Sequence, residues 1–489
     1  MTTSSKTCIL GLDQGSSSTK AVLLACKNGK IIAKTSVPIK TRRYISNGLQ
    51  FVEHDAQDIW ESAKTAIRRV LIKKPKNMQV SSLGISSQRS SCVLIDRESL
   101  APLTPVISWQ DLRGTNIVKN ISQHSELIYE RSGLYLTPYY TLSKLIWCLK
   151  NIKKAQEKSR KGEACMAFVT TYLAAKLTGG KTLAADPTLA QRSLLYNIEI
   201  NAWDEDLVRK LGIPKGILPD IVPTNGFYGY TDSKEIGLSI PITAMVGDQQ
   251  SAFLASSTMK DTQSGLINLG TGGFVLIGTG NRLLRFPGLL TGILAGHSKT
   301  NQYMLEGTVT SIQGILRWLA DLGIAKSTRE LGISKLDPNE QIPIIAGGFG
   351  GIAAPFWRSD IKVNIFDLDH STGKQALLTG FLYGIAHLFW EILKPLKNSE
   401  LFPKQLIASG GLSNNRDFLQ VLSDYMNLPI YPALEHDLTA LGACYASDAK
   451  TKLDLNLGKP IRPDIKKAHI VKNYQKRASE KLRSLLALK

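Results

Sequence analysis

The sequence predicts an α/β fold of two similar lobes with a cleft between them, on three observations. The chain has 489 residues, more than a single domain of about 100–200 residues accommodates. Short apolar, strand-like runs alternate with segments of helical period, which is the pattern of layered α/β folds. A pattern of strand, small-residue loop, strand and turn opens the chain and begins again at Ser264, about half the chain later. With 43% hydrophobic and 20% charged residues, the chain can bury sizeable cores and is not disordered. The division is expected to give a first lobe over 1–252 and a second over 253–489, with no low-complexity linker between them.

Thr7 to Leu12 is an apolar run that ends at Asp13-Gln14-Gly15-Ser16-Ser17-Ser18-Thr19-Lys20. Ala21 to Cys26 is apolar again, Asn28-Gly29 is a hairpin signal, and Ile31 to Val37 returns as a strand. Asp55 can cap a helix that aligns Ile59, Trp60, Ala63, Ile67, Val70 and Leu71 on one face. In the second half, Ser264 to Leu269 reads as a strand, Gly270-Thr271-Gly272-Gly273 as a loop, and Phe274 to Ile277 as the returning strand before a turn at Gly280-Asn281.

No run approaches the ~20 uninterrupted apolar residues needed to span a bilayer. The apolar segment after Met1–Lys6 is too short for a signal peptide and is broken by Asp13. A soluble, cytoplasmic protein without membrane insertion is expected. The six cysteines are scattered with no pair at metal-ligand spacing, so they read as buried free thiols. Lys and Arg number 60 against 40 Asp and Glu, a net charge of +20. That charge is dispersed and lacks interleaved aromatics, which favours a solvated face over a nucleic-acid partner.

A phosphate cradle needs glycines, so that backbone N–H groups can approach the anion, and hydroxyls to donate further hydrogen bonds. Gly15 to Lys20 supplies four hydroxyls and a cation; Gly270 to Gly273 and Ser409-Gly410-Gly411-Leu412-Ser413-Asn414-Asn415 supply two more such loops. Each alone also reads as an ordinary turn. The chain has no Walker-type P-loop. Asp13, at a strand end beside the first loop, is placed to hold Mg²⁺ near phosphates. Asp248, after the strand Ile242 to Val246, could take the proton of an attacking hydroxyl, or merely cap the helix that begins at Gln249.

These motifs, in this order, resemble the FGGY kinases. Further matches are Phe51-Val52-Glu53-His54-Asp55, Ser87-Gln88-Arg89, Trp109 through Arg113, Gly133 through Lys144 with Pro138-Tyr139, Asp186-Pro187-Thr188, Phe349-Gly350-Gly351 and Leu438-Thr439-Ala440-Leu441-Gly442-Ala443. The resemblance covers nearly the whole chain and is nearest to the glycerol kinases. It implies two actin-like lobes of ribonuclease-H-like fold, ATP and Mg²⁺ as cofactors, and transfer of the γ-phosphate to a small polyol or sugar, with Asp248 as general base. It places acceptor contacts on Arg89, Ser90, Tyr139, Asp248, Gln249 and Phe274. Nucleotide contacts fall on Ser16, Ser17, Ser18, Lys20, Thr271, Gly272, Gln313, Gly411 and Asn415. Homodimerisation is compatible with it. Two departures stand out. Ser90 occupies the place of a glutamate that binds a glycerol hydroxyl, and Gln313 and Arg317 stand where a glycine and a glutamine lie near the nucleotide. The alternatives are a non-catalytic actin-like or Hsp70-like nucleotide switch and a degenerate sugar sensor.

Overall fold

The structure, a computed structural model, describes residues 7–214, 216–257, 263–297, 300–327, 331, 341–435, 437–451 and 453–488; the reading of Met1–Lys6 lies outside them. The opening strands are β1 (Thr7–Gln14), β2 (Ser18–Ala25) and β3 (Ile31–Pro38). They form an antiparallel meander, extended on the far side of β1 by two parallel strands, Gln79–Ser87 and then Ile242–Gly247. β1 is buried along nearly its whole length, as befits a central strand covered on both faces.

The second lobe repeats this order. Ser264–Leu269 pairs antiparallel with Gly273–Gly280, which pairs antiparallel with Gln302–Val309; on its other side it runs parallel to Gln405–Ser409, and that strand to Ile430–Pro432. One extra strand, Leu290–Ala295, lies at the far edge. Two sheets of the same mixed order are what ribonuclease-H-like lobes require. A smaller antiparallel sheet containing Arg42–Ser46, Leu49–His54, Val106–Ile107, Cys92–Asp96 and Ala164–Phe168 elaborates the first lobe.

Helix α1 (Ala56–Ile72) has Asp55 at its N-cap, accepting from the Gln57 N–H at 2.7 Å, and buries Ile59, Trp60, Ala63, Ile67 and Val70. Leu71 is only partly buried. The helix Lys374–Leu396 is long and apolar enough to cross a membrane by composition, but it is almost wholly buried in the second lobe and is a core helix. All six cysteines are free, and five are buried.

Between the lobes, the helices Asp248–Ser257 and Leu438–Ser447 pack against each other and share one apolar core with both sheets, containing Ile9, Val246, Leu266, Leu276, Leu441 and Cys444. Their contact is backbone on backbone. A Cβ at Gly442 would lie 1.8 Å from the Ser251 carbonyl oxygen, and one at Gly84 would lie 2.0 Å from that of Ala443. Glycine is the residue type that permits this approach. The Ser251 hydroxyl donates to the Thr439 carbonyl at 2.6 Å across the same crossing. Gly442→Ala forces the helices apart and is expected to destabilise the protein by about 1–3 kcal/mol, the usual cost of overpacking. Urea unfolding would show this as a lowered midpoint, and an unchanged midpoint would mean the crossing has slack.

Candidate active site between the lobes

Each small-residue loop follows a sheet strand: the first lies between β1 and β2, the second between Ser264–Leu269 and Gly273–Gly280, and the third after Gln405–Ser409. The first is shorter than the sequence implies. The Gly15 N–H donates to the Ser18 carbonyl at 3.0 Å, so only Gly15, Ser16 and Ser17 lie between β1 and β2, while Ser18 and Lys20 are part of β2. The strands' register sets Lys20 opposite Asp13. The Lys20 ammonium sits 3.1 Å from Asp437, which also meets Lys34 at 3.1 Å. Asp437 immediately precedes the crossing helix, so the first loop is tied to the second half of the chain.

The second and third loops are joined. Gly410 has φ +90°, and a Cβ there would lie 2.5 Å from the Leu269 carbonyl oxygen. The Thr271 carbonyl accepts from the Gln313 N–H at 3.2 Å, which sets the start of the helix Ile312–Asp321 beside the exposed Thr271 and the half-buried Gly272. Gly411 faces open space. The Asn415 side-chain oxygen caps the helix Arg416–Met426 through the Phe418 N–H at 2.9 Å, a structural duty that the sequence did not reveal.

Asp13 is buried at the end of β1. One carboxylate oxygen accepts from the Thr439 hydroxyl at 2.5 Å, and the other has no hydrogen-bond partner among the described residues. Burial, reinforced by the charge of Asp248 and opposed by Thr439, raises its pKa to about 6. A buried, half-satisfied carboxylate is the environment that a cation relieves.

The acceptor candidates gather around Arg89, just after the strand Gln79–Ser87. Its Nε lies 3.4 Å from Asp248 Oδ1, and its guanidinium carbon lies 5.7 Å from the centre of the Phe274 ring. Asp248 is the first residue of its helix rather than the residue before it, and it accepts from the Gln249 N–H at 2.8 Å through the same oxygen that faces Arg89. The Gln249 side chain accepts from Asn268 at 3.2 Å. Burial raises the Asp248 pKa above the ordinary carboxylate value, against the pull of Arg89 and Arg192. Ser90 is buried with φ +63°, and its carbonyl accepts from the Thr141 hydroxyl at 3.1 Å. Tyr139 remains 44% exposed, open to a ligand.

Two residues of this cluster escaped the sequence reading. Glu306, on the second-lobe strand Gln302–Val309, receives Arg89 through both terminal nitrogens, at 2.6 and 3.0 Å, and Arg192 at 2.6 Å. All three side chains are buried. Burial alone would raise the Glu306 pKa, but Arg192 and Arg89 outweigh it and hold the carboxyl at about 2. The available signal was a lone carboxylate in the apolar run Tyr303-Met304-Leu305-Glu306, a position that needs a buried cation.

The chain matches the N-terminal domain of the FGGY family of carbohydrate kinases over residues 8–255 and the C-terminal domain of that family over residues 265–447. It is 34% identical to a glycerol kinase of Thermus brockianus over 447 residues, covering 90% of this chain and 89% of that protein. It is 31% identical to a glycerol kinase of Bacillus subtilis, covering 96% and 98% of the two chains. Its fold is similar to the crystal structure of Plasmodium falciparum glycerol kinase with ADP, at TM-score 0.85 and 26% identity over 98% of each chain.

Glu306→Gln would leave Arg192 without its buried counter-charge and Arg89 with only Asp248, and is expected to cost about 3–5 kcal/mol. Glu400→Gln, in the exposed pair with Arg282, should cost less than about 1 kcal/mol. Because the folded state depresses the Glu306 pKa from 4.5 to about 2, its stabilisation is complete above pH 4.5 and is lost as the pH falls towards 2. Denaturant curves across that window should show wild type losing its advantage over Glu306→Gln; a constant difference would remove Glu306 from the acid response.

Proposed function

The chain belongs to the FGGY family of carbohydrate kinases, and from that premise we propose that Asp248 is the general base toward a hydroxyl of a polyol or ketose held by Arg89, Tyr139, Gln249 and Phe274. The coarser activity is that of an ATP-dependent sugar or polyol kinase similar to glycerol kinases. The observation that carries the finer reading is the contact of Asp248 with Arg89 at 3.4 Å, beside Phe274 from the opposite lobe. Arg89 and Arg192 favour the ionised carboxylate, the form that can accept a proton, while Arg89 also offers hydrogen-bond donors to an acceptor oxygen.

In the reaction, the acceptor O–H proton passes to Asp248 as its oxygen bonds to the γ-phosphorus. The bond from that phosphorus to the bridging oxygen breaks, and ADP leaves with the electron pair. The backbone N–H groups of the three loops, with Ser16, Ser17, Ser18 and Thr271, are the proposed phosphate donors. Lys20 must exchange part of its pairing with Asp437 to join them. The half-satisfied Asp13 fits a Mg²⁺ site. No group of three or more His, Cys, Asp or Glu that could hold a metal occurs among the described residues, so phosphate and water oxygens would complete the shell. When bound, Mg²⁺ supplies neutralisation of phosphate charge. The non-catalytic switch is not favoured, because an acceptor-type set accompanies the phosphate loops.

Coupled ADP release over glycerol, tetritols, pentitols, pentuloses and hexuloses tests this reading; ATP turnover indifferent to every acceptor would sink it. Asp248→Asn is expected to lower kcat by roughly 10²-fold or more with the ATP KM little changed, and near-normal turnover would exclude Asp248 as the base. Ser90 removes a charged hydrogen-bond partner worth about 1.5–3 kcal/mol. An acceptor of four or more carbons should therefore surpass glycerol in kcat/KM, and Ser90→Glu should tilt the ratio back toward glycerol. If wild type already prefers glycerol over every longer acceptor, Ser90 is neutral.

A further inference from the structure

Lys144 lies in the first turn of the helix Thr141–Asn151 and is fully buried. Its ammonium donates to three consecutive carbonyls in the segment before that helix: Pro138 at 3.0 Å, Tyr139 at 2.6 Å and Tyr140 at 3.2 Å. An ammonium has three N–H donors, and all three are used. No ion pair joins Lys144 to a carboxylate among the described residues, so carbonyl dipoles carry the compensation. A buried cation at the positive end of a helix is a poor choice for stability alone. An apolar side chain of similar length could fill the same space.

The rest of the turn addresses the same targets. The Ser143 hydroxyl lies 3.2 Å from the Pro138 carbonyl and 3.3 Å from that of Tyr140, and Thr141 holds the Ser90 carbonyl. The turn thus grips the backbone behind two acceptor-pocket candidates, Tyr139 and Ser90. Tyr140, next to Tyr139 in the chain, is buried against the charges of Arg192, Glu306 and Arg89.

We propose that Lys144 is a positioning residue for the acceptor: by fixing the Pro138–Tyr140 backbone it holds the Tyr139 side chain at the pocket and so sets acceptor affinity without touching the nucleotide. This rests on the acceptor-kinase reading above. Burial lowers the ammonium pKa to about 8; the charge of Asp111 opposes the shift, and that of Arg113 deepens it. The Cys92 thiol is pushed up to about 12 and that of Cys148 well above its usual value, so neither titrates near pH 8. A neutral amine retains two donors, and one of the three carbonyls is then released.

Lys144→Met is expected to raise the acceptor KM about tenfold or more, with the ATP KM changed by less than about twofold. Wild type should show an acceptor KM that climbs above pH 8 while the ATP KM stays level, and the variant should lack that climb. Hydrogen exchange at the amides of residues 139–142 should quicken about tenfold in Lys144→Met, with α1 unchanged. Should that variant fail to fold, the wild-type pH profile and Thr141→Val, expected to raise the acceptor KM alone, decide the matter. Equal effects on both KM values, or unaltered exchange and kinetics, overturn the proposal. Absence of turnover with any acceptor would instead defeat the kinase reading for this chain, and the exchange measurement would still test the hold on residues 138–140.

Discussion

A single carboxylate, Glu306, buried between Arg89 and Arg192, sets the relation of the lobes at the cleft. It is a second-lobe residue, and both arginines come from the first, 217 and 114 residues away. Arg89 meets it through a two-pronged contact, the geometry in which a guanidinium and a carboxylate bind most specifically. With Asp248 the cluster holds two cations and two anions in a water-poor space, so charge balance itself constrains it. Displacing the second lobe would separate these charges or expose them unevenly, at high electrostatic cost. The contacts of Arg89 with Asp248 and Phe274 therefore inherit their spacing from Glu306.

Behind this polar junction the connection is of a different kind. The two crossing helices offer each other glycine, alanine and serine, and they share an apolar core with both sheets. A tight, nearly featureless backbone contact resists separation yet has few directional bonds to prevent small rotations. The division suits phosphoryl transfer, which benefits from closure that excludes water. The apolar contact lies at the helix crossing, while the directional contacts of Arg89, Arg192 and Glu306 sit at the cleft. Asp437 beside Lys20 and Thr439 on Asp13 attach the first loop and its flanking strands to the same helix.

The sheet strands and loops were legible in the sequence because their causes are local. The apolar runs, Asn28-Gly29 and the Asp55 cap depend on residues within a turn of one another, and the structure places these as expected, whereas Gly280 closes a strand and Ser18 to Lys20 belong to β2. The duplicated lobe order was legible from the recurrence of one local pattern. Glu306, Arg192 and Lys144 were not, since nothing near them in sequence explains a charge in an apolar setting; their partners are remote or are backbone carbonyls. Asp248 shows the limit from the other side. Its sequence context allowed either a cap or a base, and the side chain in fact both accepts from the Gln249 N–H and faces Arg89. Local reasoning could list those two readings but could not place Arg89 beside the same carboxylate oxygen that meets the Gln249 N–H.

The saturation of Glu306 bears on what the pocket can recognise. Both of its oxygens already accept from Arg89 and Arg192, and the carboxyl is held ionised far below neutral pH. It therefore cannot substitute for a carboxylate at position 90. Ser90 itself is held in a left-handed backbone conformation, with its carbonyl tied to Thr141, and its hydroxyl carries no charge to compensate. On the Arg89 side, Nε faces Asp248 and both terminal nitrogens face Glu306, which leaves few N–H groups to donate. A small triol would then meet donors from one direction and little to accept its own hydroxyl protons beyond Asp248. A longer acceptor, with oxygens able to reach Gln249 or Tyr139, can satisfy its hydrogen bonds away from the missing carboxylate. On the proposed reading, the chemistry of the reacting hydroxyl is kept, and the distal part of the pocket is where substrates would be told apart.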